Sequence, residues 1–245
     1  MKHLVKISAI CLLILAMLMS LCACGASDTA DTNTDVDVGD LKRNLIGLTP
    51  DDFKLLVQGN LDEIYLGVFD DKYLALVDGS EASAQEIYDE GMAYEAEYFC
   101  YYFDVEYPTD AFLQELIDVY KEIYGHSKYK VGDASKLDET TYVVKLTVSP
   151  IDIMELVLDA VENGAADSFY DKYAYVNVEA MTEAEYQAYD EEWAYIILDI
   201  LRDQLPNIGY LEEETLAVQI VLENDVWMIG DSDLSTIDSL IIAYP

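Results

Sequence analysis

The side chains of this chain that could do chemistry are overwhelmingly carboxylates and phenols. Of 245 residues, 49 are Asp or Glu and 20 are Tyr, against 13 Lys and Arg and two His. Such a set suits calcium binding, acid–base hydrolysis or aromatic recognition. Asn33, Asp35 and Asp37 have the first three spacings of a calcium loop. The sixth position, where that loop needs glycine for its turn, is Val38. The twelfth, where a bidentate glutamate closes the shell, is Asn44, and the pattern fails. Two carboxyl groups about 5 Å or 6.5–9.5 Å apart could cleave a glycoside. Glu183, Glu185, Asp190, Glu191 and Glu192 fall around one predicted helix and read as its wet surface. No acid is singled out by an apolar setting, so no catalytic residue is assigned.

The tyrosines are more informative. Tyr94, Tyr98 and Tyr101 share one face of a predicted helix, and Tyr186, Tyr189 and Trp193 share a face of another. A phenol ring joins a flat apolar body to a polar tip, which suits both half-buried helix faces and binding surfaces. These six are the candidate ligand-binding residues. They either pack the core edge under an acidic shell or line a cleft between helices and sheet.

The start of the chain carries an address. Met1-Lys2-His3-Leu4-Val5-Lys6 is short and basic, and Ile7 to Leu21 is apolar apart from Ser8 and Ser20. That is the layout of an export signal, and the run is short for a bilayer span, which takes about 20 apolar residues. It ends Leu21-Cys22-Ala23-Cys24-Gly25, which resembles the lipobox of bacterial lipoproteins. The resemblance implies cleavage after Ala23, lipid on the Cys24 thiol, and a protein held by that anchor in the lipid bilayer at the outer face of the cell membrane. One acyl chain binds a membrane only marginally, whereas two anchor stably. The expected organisation is a signal at 1–23, a flexible acidic tether at 24–47 and one α+β domain at 48–245. As a coil of about 16 residues, Gly25 to Asp40 would reach roughly 20–25 Å.

On that reading Cys11 and Cys22 leave with the signal and Cys24 carries lipid, so Cys100 is the one body thiol and His126 the one histidine. An internal disulfide, a His/Cys zinc site and, short of recruiting a loop histidine, a serine triad all lack parts. Cys100, among Tyr98, Phe99, Tyr101 and Tyr102, reads as a small buried hydrophobe. No metal or cofactor is expected.

The formal charge is −36. Losing the two lysines of residues 1–23 leaves 11 basic residues against 49 acids, a formal −38. Such a surface repels phosphates, which excludes nucleic acid as a partner, and it repels anionic lipid headgroups. Disorder is not implied, because 52% of the residues are hydrophobic and supply ample core.

The elements that must position these residues are legible from period and caps. Thr49-Pro50-Asp51-Asp52 starts a helix carrying Phe53, Leu56, Val57, Leu61 and Ile64. A second helix is predicted over about 83–103 with a Met92, Ala96, Phe99, Phe103 stripe, and a third follows Pro108 and ends at Gly125. Val144, Leu146 and Val148 alternate with Lys145, Thr147 and Ser149 as a half-wet strand, with 128–136 as its hairpin partner. Helices over about 152–171 and 182–205 follow. A hairpin then turns at Asn224-Asp225 into Val226-Trp227-Met228-Ile229, and a last helix is capped by Asp231 or Asp233. Both hairpins must bury one face, so one antiparallel sheet of about four strands covered by helices is expected.

The acidic turn and the closing Trp227-Met228-Ile229 strand resemble small exported NTF2-like lipoproteins. Tyr142 to Asp152, with Pro150-Ile151-Asp152, and Trp227 to Asp238 resemble uncharacterised lipoproteins of Gram-positive bacteria. That likeness implies no activity and no catalytic residue. The expected function is a non-catalytic module that binds a small-molecule or protein partner. The alternatives are a structural or assembly component of the envelope, or a carboxylate-using hydrolase.

Overall fold

The computed structural model describes residues 47–245. The expected signal, Cys24 as the expected lipid site, the failed calcium loop and the expected tether up to residue 46 lie outside the described residues. Among the described residues there are eight α-helices and a four-stranded sheet in the order β1-β2-β3-β4, so the fold is α+β. No helix among them is long and apolar enough to cross a membrane. The chain divides into two compact units, described in turn.

The first unit takes 47–58, Val131–Leu146 and Leu216–Asp238 among the described residues. Helix α1, Pro50–Leu61, starts where Asp52 reaches back to accept the Thr49 backbone N–H and hydroxyl, both at 2.7 Å. Strands β1 (Lys128–Lys136) and β2 (Thr141–Ser149) form the first hairpin, and β3 (Glu214–Glu223) and β4 (Val226–Ile229) the second. Thr147 pairs with Thr215 through their hydroxyls, and the Leu222 N–H donates to the Thr140 carbonyl. Residue numbers therefore fall on one strand as they rise on the other, so β2 and β3 run antiparallel.

In the second hairpin Ile220 pairs with Ile229 and Glu223 with Val226. Asn224 and Asp225 take φ of 51° and 65°, the two left-handed residues of a tight hairpin turn. The alternation holds, with Val144 and Leu146 buried, Lys145 exposed, and Val218 and Ile220 buried. Phe53 lies face to face with Tyr142 at 3.8 Å and edge-on to Trp227 at 4.8 Å, so the unit's aromatic core joins α1 to both hairpins. Helix α8, Asp231–Ile241, begins here, with Asp233 accepting the Gln219 N–H at 2.6 Å.

The second unit takes Gly59–Lys130, Thr147–Thr215 and Ser239–Pro245. A π-helical turn, Asp62–Leu66, is followed by α2 (Asp71–Leu76), a six-residue helix that the hydrophobic period does not reveal and that Asp70 caps. Helices α3 (Glu81–Tyr102) and α4 (Asp110–Tyr124) start on side chains that accept orphan N–H groups, Ser80 with a reciprocal Ser83 and then Thr109. Helix α3 packs on α4, burying the expected Met92, Ala96, Phe99 and Phe103 stripe.

The single helix expected over about 152–171 is broken. It comprises α5 (Ile153–Ala160), a π turn (Val161–Ala165) and α6 (Asp167–Tyr173). The break is at Gly164, whose φ of 93° is open only to glycine at little cost. Helix α7, Glu183–Gln204, opens on a Thr182/Glu185 capping box and packs on α5. Ser149, expected on the wet side of its strand, is 5% exposed with its hydroxyl toward Glu213. The last residues are tied in where Ile151 donates its N–H to Ile241 and accepts that of Ala243.

Candidate ligand-binding site

The two aromatic trios have different surroundings, both in the second unit. On α3, Tyr98 is edge-on to Tyr244 at 4.9 Å and 6.2 Å from Tyr101, while Tyr94 is half-buried. Tyr244 is also 5.0 Å from Tyr102, whose hydroxyl donates to the Pro245 carbonyl, and its own hydroxyl meets that of Tyr120 at 2.5 Å. Burial, with the nearby Glu95 carboxylate adding to it, pushes the Tyr120 phenol well up; Tyr244 rises through burial, then Tyr120 and Glu95. These rings clasp residues 244 and 245 against α3 and α4.

On α7, Tyr186, Tyr189 and Trp193 become part of a continuous strip. Tyr107 meets Tyr186 edge-on at 5.9 Å, Tyr186 stacks on Tyr189 at 5.9 Å, and Tyr189 approaches Phe169 at 5.0 Å. Phe169 in turn lies 5.1 Å from Trp193, which is 5.9 Å from Tyr170. Tyr173 closes against Tyr189 at 4.7 Å. Phe169 is buried as the keel of the strip, while Tyr107 and Tyr170 are 44% and 49% exposed. Rings at these separations gain from each other, and the exposed Tyr107 and Tyr170 bring the strip to the surface.

Specific polar contacts hold the strip. The Trp193 indole N–H donates to the Phe103 carbonyl at 2.7 Å. Asp190 is 2% exposed and accepts the backbone N–H groups of Glu106 and Tyr107 at 3.0 and 2.8 Å. That corrects its reading as part of a wet helix face: the turn before α4 presents two N–H groups to α7, and a buried carboxylate is the acceptor they find. Glu192 is only half-exposed, since one of its oxygens accepts from both Lys172 and the Tyr173 hydroxyl. The Lys172 bond, then the Tyr173 bond, hold the Glu192 carboxyl below its ordinary range. Glu183 and Glu191 are exposed as expected, and Glu185 serves the capping box.

Two clefts border the strip. One, of about 350 Å³, is lined by Tyr107, Pro108, Thr109, Gln187 and Glu191. The other, of about 220 Å³, includes Asp104, Leu158, Tyr170, Trp193 and Ile197 in its walls. Its lining is helices and the turn after α3; it includes none of Tyr94, Tyr98 and Tyr101. The sequence reading missed Tyr107, Phe169, Tyr170 and Tyr173. Three of those rings fall within the seven residues of α6, a density that could have marked it.

Among the buried acids, Glu63 departs from its ordinary range. Glu63, in the π turn, is 5% exposed and raised by burial, which outweighs a hydrogen bond from Tyr73. It lines neither cleft. Cys100 is buried, its thiol pushed up to about 12 by burial first and by the Asp190 and Glu97 charges, which disfavours the nucleophilic thiolate. His126 is exposed in the turn after α4. Among the described residues no group of three or more His, Cys, Asp or Glu could hold a metal ion.

No protein-family model matches the chain, and no curated protein matches it in sequence. Among solved structures, the chain is similar to ycdA of Bacillus subtilis, a protein whose assignment as a lipoprotein is itself an inference. The two share 13% identity at a TM-score of 0.54 over 86% of this chain, which spans 60% of that protein's length. At that identity the likeness is one of fold.

Proposed function

We propose that this protein is an exported lipoprotein, anchored by lipid on Cys24 at the outer face of a cell membrane, whose folded body binds a ligand or partner without transforming it. The observation that carries the binding role is the strip from Tyr107 to Tyr170, which brings exposed rings to the surface beside two clefts. Large aromatic surface with polar tips is the composition that binding surfaces favour. The anchor is supported by the lipobox resemblance of Leu21-Cys22-Ala23-Cys24 and by the fold shared with ycdA. The NTF2-like plan is supported by the antiparallel four-stranded sheet that ends in Trp227-Met228-Ile229.

Mass spectrometry of the full chain, expressed in a bacterium that processes lipoproteins, tests the anchor. The expected product lacks residues 1–23 and carries a diacylglyceryl group on Cys24; an unmodified thiol with those residues attached overturns it. A thermal-shift screen of peptides, oligosaccharides and cations tests the body. At least one class should raise the melting temperature, and Tyr170→Ala should abolish that rise. A screen with no shift, or one indifferent to Tyr170, overturns the binding role.

A further inference from the structure

The strip already holds one ammonium group, and that group belongs to the protein. Lys172 Nζ sits 4.9 Å from the centre of the Tyr173 ring and binds the Glu192 carboxylate, which also accepts the Tyr173 hydroxyl. An aromatic face attracts a cation through its quadrupole, and a carboxylate beside it supplies the countercharge. The same pair of components recurs in both clefts, whose linings among the described residues include no Lys or Arg. Tyr107 stands with Glu191 in one, Tyr170 and Trp193 with Asp104 in the other. Among the described residues neither Asp104 nor Glu191 has a basic partner. The chain's formal charge of −36 would draw cations toward such a surface and repel polyanions.

We infer that the strip docks a basic peptide segment, its lysine or arginine side chains seated in the two aromatic–carboxylate clefts. This rests on the binding role proposed above and names the class of partner. The centroid steps from Tyr107 through Tyr186, Tyr189 and Phe169 to Tyr170 are 5.9, 5.9, 5.0 and 6.1 Å. They place the strip's ends at most about 23 Å apart, the reach of about seven extended residues. A peptide of that length with a cation near each end would span both clefts. Arginine suits the seats better than lysine, because its planar group stacks on rings and is more weakly hydrated.

The test is calorimetric titration of the full chain with an eight-residue peptide alternating Arg and Ser, with the same peptide bearing citrulline for Arg, and with a neutral chitohexaose. The Arg peptide should bind and the other two should not. Tyr107→Ala with Tyr170→Ala should weaken binding about tenfold, and Asp104→Asn with Glu191→Gln should weaken it comparably. Asp118→Asn with Glu122→Gln, acids on α4 that line neither cleft, should leave it unchanged. If the α4 variants weaken binding as much as the cleft variants, the attraction is diffuse charge and the proposal is overturned. If the ring variants bind the Arg peptide normally at unchanged melting temperature, it is overturned too. Ring-dependent binding of chitohexaose in place of the peptide would overturn the cationic partner while preserving the binding role. Absence of binding by all three, together with a silent thermal-shift screen, would remove both.

Discussion

Asp190 accepts the backbone N–H of Tyr107 at 2.8 Å. A buried charge on one helix thus fixes the turn that leads into another, and with it the first ring of the aromatic strip. The same carboxylate takes the Glu106 N–H, so the turn is held by two charge-assisted bonds. Asp190→Ala should cost about 1–3 kcal/mol, because two N–H groups lose their acceptor in a part-buried site. Glu191→Gln, one residue on and exposed, should stay within about 0.5 kcal/mol of the parent. Urea unfolding of the pair measures the contrast.

Tyr73 packs directly on Gly59, and a Cβ at that position would fall 2.1 Å from Tyr73 Cγ. Gly59→Ala should therefore destabilise by about 1–3 kcal/mol despite the better helix propensity of alanine. A thermal melt showing equal or greater stability would contradict the packing.

The hydroxyl pair of Tyr120 and Tyr244 is part-buried, with the Glu95 carboxylate near both phenols. Tyr244→Phe keeps the ring against Tyr98 and Tyr102 and removes one partner of the pair, at a cost of about 1 kcal/mol. Tyr244→Ala also opens a cavity and should cost about 3–5 kcal/mol. The two variants, compared by chemical denaturation, separate hydrogen bonding from packing.

Glu63 gives a pH dependence of defined sign. Burial raises its folded-state pKa above the ordinary 4.5, so above pH 4.5 the unfolded chain releases this proton before the folded one does. Its contribution to stability is greatest below that pH and declines as pH rises toward its folded pKa. Glu192 is the opposite case: its pKa is lowered, and its contribution is lost as pH falls below 4.5. Unfolding free energies of Glu63→Gln across pH 4–8 should show a weaker decline above pH 4.5 than the parent. An identical slope would mean that Glu63 is ionised in the fold.

Much of the architecture was legible because it rests on local signals. The helices expected after Pro108 and over about 182–205 begin at Asp110 and Glu183, and the Thr49 start and the Asn224-Asp225 turn appear where caps and left-handed residues put them. So does the alternation of Val144 and Leu146 with Lys145, since each depends on neighbours within a few positions. Gly164 broke a helix that the apolar period ran straight through, because period records burial and not the backbone angle of one residue. Helix α2 was missed because six residues are too few for a period to register.

Sequence alone determined the charge, the likeness of Cys24 and its neighbours to a lipid-attachment motif, the alternation of helical segments with two hairpins, and a shared helical face for Tyr186, Tyr189 and Trp193. Only the tertiary structure decided that Tyr107, Phe169, Tyr170 and Tyr173 extend that face into a strip. It also decided that Tyr98 and Tyr101 belong with Tyr244, and that Asp190 is buried while Glu191 is wet. The physical reason is range. Caps, turns and periodicity act between residues a few positions apart, whereas a ring's partner or a carboxylate's donor comes from segments tens of residues away, brought close only by packing.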